Sequence, residues 1–142
     1  MGQGPEANFW NTLKRNLPKE VLTTRIENRH GGGVPDLHVL WNGMPFWVEL
    51  KVSKFDGVKL SPHQVAWHTA YWARGGLSFF LVKSLSSSYI HMFRGSEAVD
   101  LVHKPMSKVQ GSLFEGPAPL VAALRADVFD HYVGVMGRGP RT

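Results

Sequence analysis

The amino-acid sequence predicts an α/β fold in which helices flank a mixed β-sheet. Three observations lead to this expectation: three segments with helical spacing of apolar residues, several runs rich in β-branched and aromatic residues, and an Asn-Gly pair between two of those runs. The predicted order of elements is α-β-β-β-α-β-β-α. Such an order implies that helices pack against one sheet containing strands of both orientations.

The first half of the chain is predicted to form one helix and three strands. The helix covers 5–17, with Pro5 in its first turn and Pro18 just after its end. The first strand is "EVLTTRIEN", which is rich in β-branched residues and has an alternating pattern. The glycine run at 31–33 ends it. The runs "DLHVLWN" and "FWVELKV" flank "NGMP", and Asn-Gly is a strong hairpin signal. Strands two and three are therefore expected to form a hairpin.

The second half is predicted to add two helices and two strands. Ser61 is suited to cap a helix over 62–74, which Gly75-Gly76 would end. The apolar runs "LSFFLVK" and "SYIHMF" are interpreted as strands four and five, and a last helix is expected over about 118–133. We expect one domain over 1–134 and a flexible, basic tail over 135–142.

Composition restricts the classes of function. The 142 residues include 16 Lys and Arg against 11 Asp and Glu, and the net charge of +5 favours an anionic partner such as nucleic acid. Without cysteine, a metal could be held only by oxygen or imidazole. The sequence shows no signal peptide and no apolar run near the ~18 residues of a membrane span. We therefore expect a cytoplasmic protein, and its small size suggests a virus or mobile element as the source.

The hairpin predicts that three charged residues share one face of the sheet. A two-residue turn at Asn42-Gly43 would place Asp36 directly opposite Glu49. A four-residue loop would instead place Asp36 opposite Lys51, and His38 opposite Glu49. Both loops keep Asp36, Glu49 and Lys51 on one face because side chains two apart on a strand point the same way, whereas a three-residue loop would separate them.

Two carboxylates facing each other across a hairpin could share a small divalent cation. Their Cβ atoms would be about 5 Å apart, close enough for oxygens of both to bind one Mg²⁺. The cation could polarise a phosphodiester and activate water, and the ammonium group of Lys51 could orient that water or neutralise transition-state charge. The glycines at 31–33 would let a sugar-phosphate backbone approach.

At these residues the sequence resembles the PD-(D/E)xK nuclease superfamily, through Pro35-Asp36 and Glu49-Leu50-Lys51. It is similar in particular to small Holliday junction resolvases and VRR-type nuclease domains, over about residues 5–83. The resemblance implies a restriction-endonuclease-like fold, Mg²⁺ with Mn²⁺ as a substitute, and a homodimer that cuts four-way DNA junctions. The catalytic residues that it implies are Asp36, Glu49, Lys51, Gln64 and Glu6. The metal-binding residues are Asp36, Glu49, Leu50 and Glu6.

Several of these residues have a second interpretation. Glu6 could be a first-turn acid favoured by the helix dipole, and Gln64 could form a capping box with Ser61. Arg25 could hold a phosphate or pair with Glu27. The residues expected to follow DNA phosphates are Arg25, Arg29, Lys54 and Lys59.

The remaining aromatic and imidazole groups receive weaker assignments. The histidines lack the i, i+4 spacing of a zinc protease, and only His38 is expected on the acidic face. Trp67, Tyr71 and Trp72 are interpreted as core or dimer packing, with base stacking as an alternative for Trp67.

The leading hypothesis is a divalent-metal-dependent, structure-selective DNA endonuclease that resolves four-way junctions. One alternative is a VRR-type nuclease that cuts flaps, forks or nicked duplex. A second alternative, from a different class, is a non-catalytic nucleic-acid-binding module with the same fold.

Overall fold

The computed structural model describes residues 4–27 and 32–137, with side chains described up to residue 134. Its centre is a six-stranded sheet whose strands lie side by side in chain order. The third and fourth strands run parallel to each other, and the other neighbouring strands run antiparallel. The mixed sheet flanked by helices confirms the predicted α/β class. None of the described helices is long and apolar enough to cross a membrane.

The sheet and the helices have the following bounds. The strands are β1 Leu22–Arg25, β2 Leu37–Trp41, β3 Met44–Ser53, β4 Ser78–Ser84, β5 Tyr89–Arg94 and β6 Ser112–Glu115. The helices are α1 Pro5–Asn16, α2 Pro62–Ala73, α3 Ala98–His103 and α4 Pro117–Gly137. Short 3₁₀ turns precede and follow α3, at Gly95–Glu97 and Met106–Lys108.

Each face of the sheet carries its own buried cluster. Helices α1 and α4 pack on one face, where Phe9 and Leu124 meet strand residues such as Val48 and Leu50. Helix α3 packs on the opposite face, where Leu101 meets Phe80 and Val82, with α2 alongside. Because alternate strand residues point to opposite faces, Glu49 and Lys51 of β3 project on the α2 side. The core thus fixes which side of the sheet the charged residues occupy.

The hairpin between β2 and β3 turns in two residues. Asn42 has a φ of 50° and Gly43 a φ of 78°, which is the type I′ combination that suits the twist of a hairpin. Trp41 pairs with Met44 and Leu37 with Val48. The two-residue alternative is therefore correct, and His38 lies opposite Trp47, not Glu49.

The predicted order of elements was incomplete after residue 94. Helix α3 was missed because its six residues are too few to show helical periodicity. Strand β6 was missed because its four residues lie at the sheet edge, are mostly exposed and show no clear alternation. Helix α4 continues to Gly137 and so includes 135–137, which the sequence placed in the tail. A glycine in a helix costs only about 1 kcal/mol, so Gly134 does not end it. Residues 138–142 lie outside the described part of the chain.

Candidate active site

Asp36 and Glu49 meet at the open end of the hairpin. Asp36 immediately precedes β2, and its carbonyl accepts a 2.8 Å hydrogen bond from Ile26, which continues the pairing of β1 with β2. The Leu50 amide donates a 2.9 Å hydrogen bond to Oδ2 of Asp36. The Asp36 carboxylate is therefore tied to the strand that carries Glu49.

Glu49 is a buried acid, with only 2% of its surface exposed. Burial raises its pKa most strongly, and a hydrogen bond to the Asp36 carboxyl and repulsion by that group raise it further. The Lys51 ammonium opposes these effects. In addition, Oε1 of Glu49 is buried without a hydrogen-bond partner. An orphaned carboxyl oxygen beside a second carboxylate fits an oxygen-liganded cation, which would supply the missing contact.

Lys51 and Gln64 connect the strand to the start of α2. The Lys51 ammonium donates to Oε1 of Gln64 at 3.2 Å. That same oxygen accepts a hydrogen bond from the main-chain N–H of Ser61 at 3.0 Å. In return, the main-chain N–H of Gln64 donates to the Ser61 hydroxyl at 3.1 Å. The capping-box interpretation of Gln64 is therefore confirmed, and the same side chain also contacts the lysine. Its catalytic role stays a prediction.

Gly33 holds the loop before Asp36 against α2. It has a φ of 80°, and a Cβ added there would lie 2.1 Å from the carbonyl oxygen of His63. Only glycine allows both this conformation and this contact. The sequence predicted that the glycine run lets a sugar-phosphate backbone approach. At Gly33 the space is instead filled by the N-terminus of α2.

Glu6 lies near the acid pair from the first turn of α1. Partial burial raises its pKa, as does repulsion by Asp36, and the charges of Lys51 and Arg25 lower it. These interactions place Glu6 within electrostatic reach of the site. Its metal-binding and catalytic roles stay predictions.

The expected phosphate-binding residues are more dispersed. Arg25 lies opposite Leu37, on the α1 side of the sheet, with its guanidinium 5.5 Å from the centre of the Trp10 ring. Lys54 and Lys59 are exposed on the segment that connects β3 to α2. Arg29 lies outside the described residues. These four assignments also stay predictions.

A row of rings lies next to the acid pair, and we call it the aromatic cluster: His38, Trp47, Trp67 and Tyr71. The ring centres of His38 and Trp47 are 4.7 Å apart, and those of Trp47 and Trp67 are 5.6 Å apart. Trp67 stacks on Tyr71 at 4.7 Å. Trp47 was not predicted as a site residue, although strand alternation from Glu49 places it on the same face.

The residues present could hold a divalent cation. Asp36 and Glu49 offer carboxyl oxygens, which suit Mg²⁺ or Mn²⁺, and Leu50 could contribute only its main-chain carbonyl. Within 4–27 and 32–137, no three acidic or histidine side chains form a ready-made metal cluster. A cation here would therefore need main-chain, solvent or phosphate oxygens in addition to the two acids.

No protein-family model matches the sequence, and no curated protein matches it. Among solved structures, the chain is similar to Hjc, a Holliday junction resolvase from the archaeon Archaeoglobus fulgidus, with 16% identity and a TM-score of 0.47 over 63% of this chain and 74% of that chain. It is also similar to a VRR_NUC domain, with 24% identity and a TM-score of 0.46 over 69% of this chain and 94% of that chain.

Proposed function

We propose that this protein is a divalent-metal-dependent DNA endonuclease that hydrolyses phosphodiester bonds in branched DNA. The observation that carries the proposal is the pair formed by half-buried Asp36 and buried Glu49, with Lys51 two residues from Glu49 on the same strand face. The net charge of +5 supports an anionic substrate.

Asp36 and Glu49 would hold the cation, and the Leu50 main chain keeps the Asp36 carboxylate in place. The bound cation would neutralise the two acids and polarise the phosphodiester towards attack by water. Lys51 would orient the water or balance charge on the phosphate as the bond to the leaving oxygen breaks. Gln64 would position the Lys51 ammonium, and Glu6 would complete the acidic side of the site.

The non-catalytic alternative explains this geometry less well. A module that only binds DNA gains nothing from two acids that face an anionic backbone, and burying Glu49 costs solvation energy. A cationic or apolar side chain at position 49 would serve binding better. The acid pair therefore favours catalysis over simple binding.

A cleavage assay tests the proposal directly. The substrates are a labelled four-way junction, a flap, a nicked duplex and an intact duplex, each with Mg²⁺, Mn²⁺ or chelator. We expect metal-dependent cleavage of branched DNA, with the four-way junction as the first substrate to examine, and at least a hundredfold loss for Asp36→Asn. Absence of cleavage of every substrate, or equal cleavage by Asp36→Asn, would falsify the proposal.

We also propose that the active form on four-way junctions is a homodimer. A symmetric dimer presents two equivalent sites, which matches the two strands that must be cut to resolve a junction. Sedimentation velocity with and without junction DNA tests this. A monomer that still makes both cuts in one binding event would contradict it.

A further inference from the structure

The aromatic cluster is continuous from β2 through β3 to α2. The ring of His38 contacts that of Trp47 edge-on, Trp47 contacts Trp67 edge-on, and Trp67 stacks on Tyr71. All four side chains are half-buried, so each keeps some surface open to solvent. Their neighbours on the same face, Leu22 and Leu40, are exposed to 61% and 36%.

The four rings do not belong to the hydrophobic core. None is among the buried residues of either cluster, nor among the partly buried residues packed against those clusters. By contrast, Trp72, one residue after Tyr71, packs on the core and donates from its indole to Ser78 at 3.0 Å. Core packing therefore explains Trp72 but does not explain the aromatic cluster.

The cluster begins beside the acid pair. Trp47 and Glu49 lie two residues apart on one strand face, a separation of about 6.6 Å along the strand. His38 has the same relation to Asp36, and His38 and Trp47 are paired across the hairpin. Successive nucleotides of a single strand are separated by a similar distance, so a base next to a phosphate at the acid pair could reach these rings.

We propose that the aromatic cluster stacks an unpaired base of the DNA strand that is cut, next to the scissile phosphate. This rests on the proposed function and names its substrate class: branched DNA with an unpaired nucleotide at the branch, such as a flap or a fork. A four-way junction would first have to open a base pair at its branch point. Bases in a continuous duplex are already stacked and paired, so they could not use the rings without being unstacked first. Every base has a π-face, so the contact would select for unpaired DNA and not for a sequence.

The first test changes the DNA and leaves the protein intact. A flap substrate with normal bases is compared with one whose first three unpaired nucleotides are abasic, using fluorescence anisotropy in chelator and cleavage in Mg²⁺. Loss of one stacked base should weaken binding about tenfold. Equal affinity of the wild-type protein for both flaps would overturn the proposal.

The second test changes the rings. Trp47→Leu and Trp67→Leu should bind the normal flap about tenfold more weakly, and should no longer distinguish normal from abasic flaps. Trp47→Phe should keep most of the distinction, and so should the matched control Phe129→Leu, which alters an exposed ring on α4. Leucine variants that still distinguish the two flaps as the wild type does would overturn the proposal.

The readouts separate this inference from the nuclease proposal and from a subunit contact. Base-dependent binding without cleavage of any DNA would support stacking of an unpaired base by the aromatic cluster, but it would reject the nuclease proposal and with it the position next to a scissile phosphate. Cleavage without base dependence would support the nuclease proposal and overturn the stacking proposal. If the leucine variants instead convert a dimer to a monomer in sedimentation and weaken binding to all DNAs alike, the cluster is a subunit interface and the stacking proposal is wrong.

Discussion

The Lys51 ammonium donates a 3.2 Å hydrogen bond to the side-chain oxygen of Gln64, and the same oxygen accepts a hydrogen bond from the main-chain N–H of Ser61. The side-chain oxygen of Gln64 thus accepts both the main-chain N–H at the N-cap of α2 and the Lys51 ammonium beside the acid pair. Because the capping box fixes the Gln64 rotamer, the lysine meets an acceptor that is already in place. Helix capping and the candidate chemistry depend on the same side chain.

Replacing Gln64 should therefore affect stability and cleavage, whereas replacing Ser61 should affect mainly stability. Gln64→Ala removes the partner of Lys51, and we expect kcat to fall at least about tenfold, because small displacements of catalytic groups are costly. Ser61→Ala should cost about 1 kcal/mol in unfolding free energy but keep near-normal kcat. Urea denaturation and single-turnover cleavage measure the two effects. Equal losses of kcat in both variants would show that Lys51 does not depend on Gln64.

Metal binding should stabilise the folded protein through the acid pair. At a Mg²⁺ or Mn²⁺ concentration one hundred times the dissociation constant, the expected gain in unfolding free energy is about 2.7 kcal/mol. Asp36→Asn and Glu49→Gln should lose most of this gain. Thermal melting with metal and with chelator provides the measurement without any cleavage.

Lys51→Met is the matched control for the metal experiment. It removes the amine and should reduce cleavage by a factor of about 10² to 10⁴, but it leaves both acids in place and should keep the metal-dependent stabilisation. If Glu49→Gln is stabilised by Mg²⁺ as strongly as the wild type, Glu49 does not bind the cation.

The acid pair was predictable from the sequence because the information is local. Asn42-Gly43 can adopt the two positive φ angles of a tight turn, and strand alternation then fixes the partners for several residues on each side. The only open choice was the loop length, and the structure selects the two-residue turn. For this reason Asp36 and Glu49 could be assigned to one face in advance, while their direct pairing depended on the turn length.

Other features depend on contacts between distant segments, which periodicity does not encode. The contact of Gly33 with His63 joins the loop before β2 to the first turn of α2, thirty residues away. Strand β6 is held in the sheet by pairing with β5. The aromatic cluster likewise needs α2 to lie over β3, so Trp67 could not be matched to Trp47 from spacing alone.

Gly33→Ala should disrupt the site through this long-range contact. A Cβ at Gly33 would meet the His63 carbonyl at 2.1 Å, and the φ of 80° disfavours any L side chain. We expect a loss of more than about 2 kcal/mol in unfolding free energy, or a shift of the α2 N-terminus that lowers kcat. Gly57→Ala is the control, since no atom lies within 4 Å of its added Cβ. Normal stability together with normal cleavage in Gly33→Ala would contradict the packing described for this loop.

His68 should make stability sensitive to mild acid. Its ring is buried on α2, Nδ1 shares a 2.7 Å hydrogen bond with the Ser78 hydroxyl, and Nε2 has no hydrogen-bond partner. Burial lowers the pKa of His68 to about 3, with a smaller effect of the Lys51 charge. As the pH falls, His68 is therefore protonated near pH 6.5 in the unfolded chain but only near pH 3 in the folded protein.

Because the unfolded state binds more protons in this window, His68 should lower the unfolding free energy as the pH falls below 6.5, by up to about 1.4 kcal/mol per pH unit. Urea denaturation of metal-free protein at pH 7, 6 and 5 measures the slope for the wild type and for His68→Gln. The variant should show a shallower fall, because glutamine does not titrate. The exposed His103→Gln serves as the control and should follow the wild type. Identical slopes for wild type and His68→Gln would mean that His68 is not held neutral by its buried position.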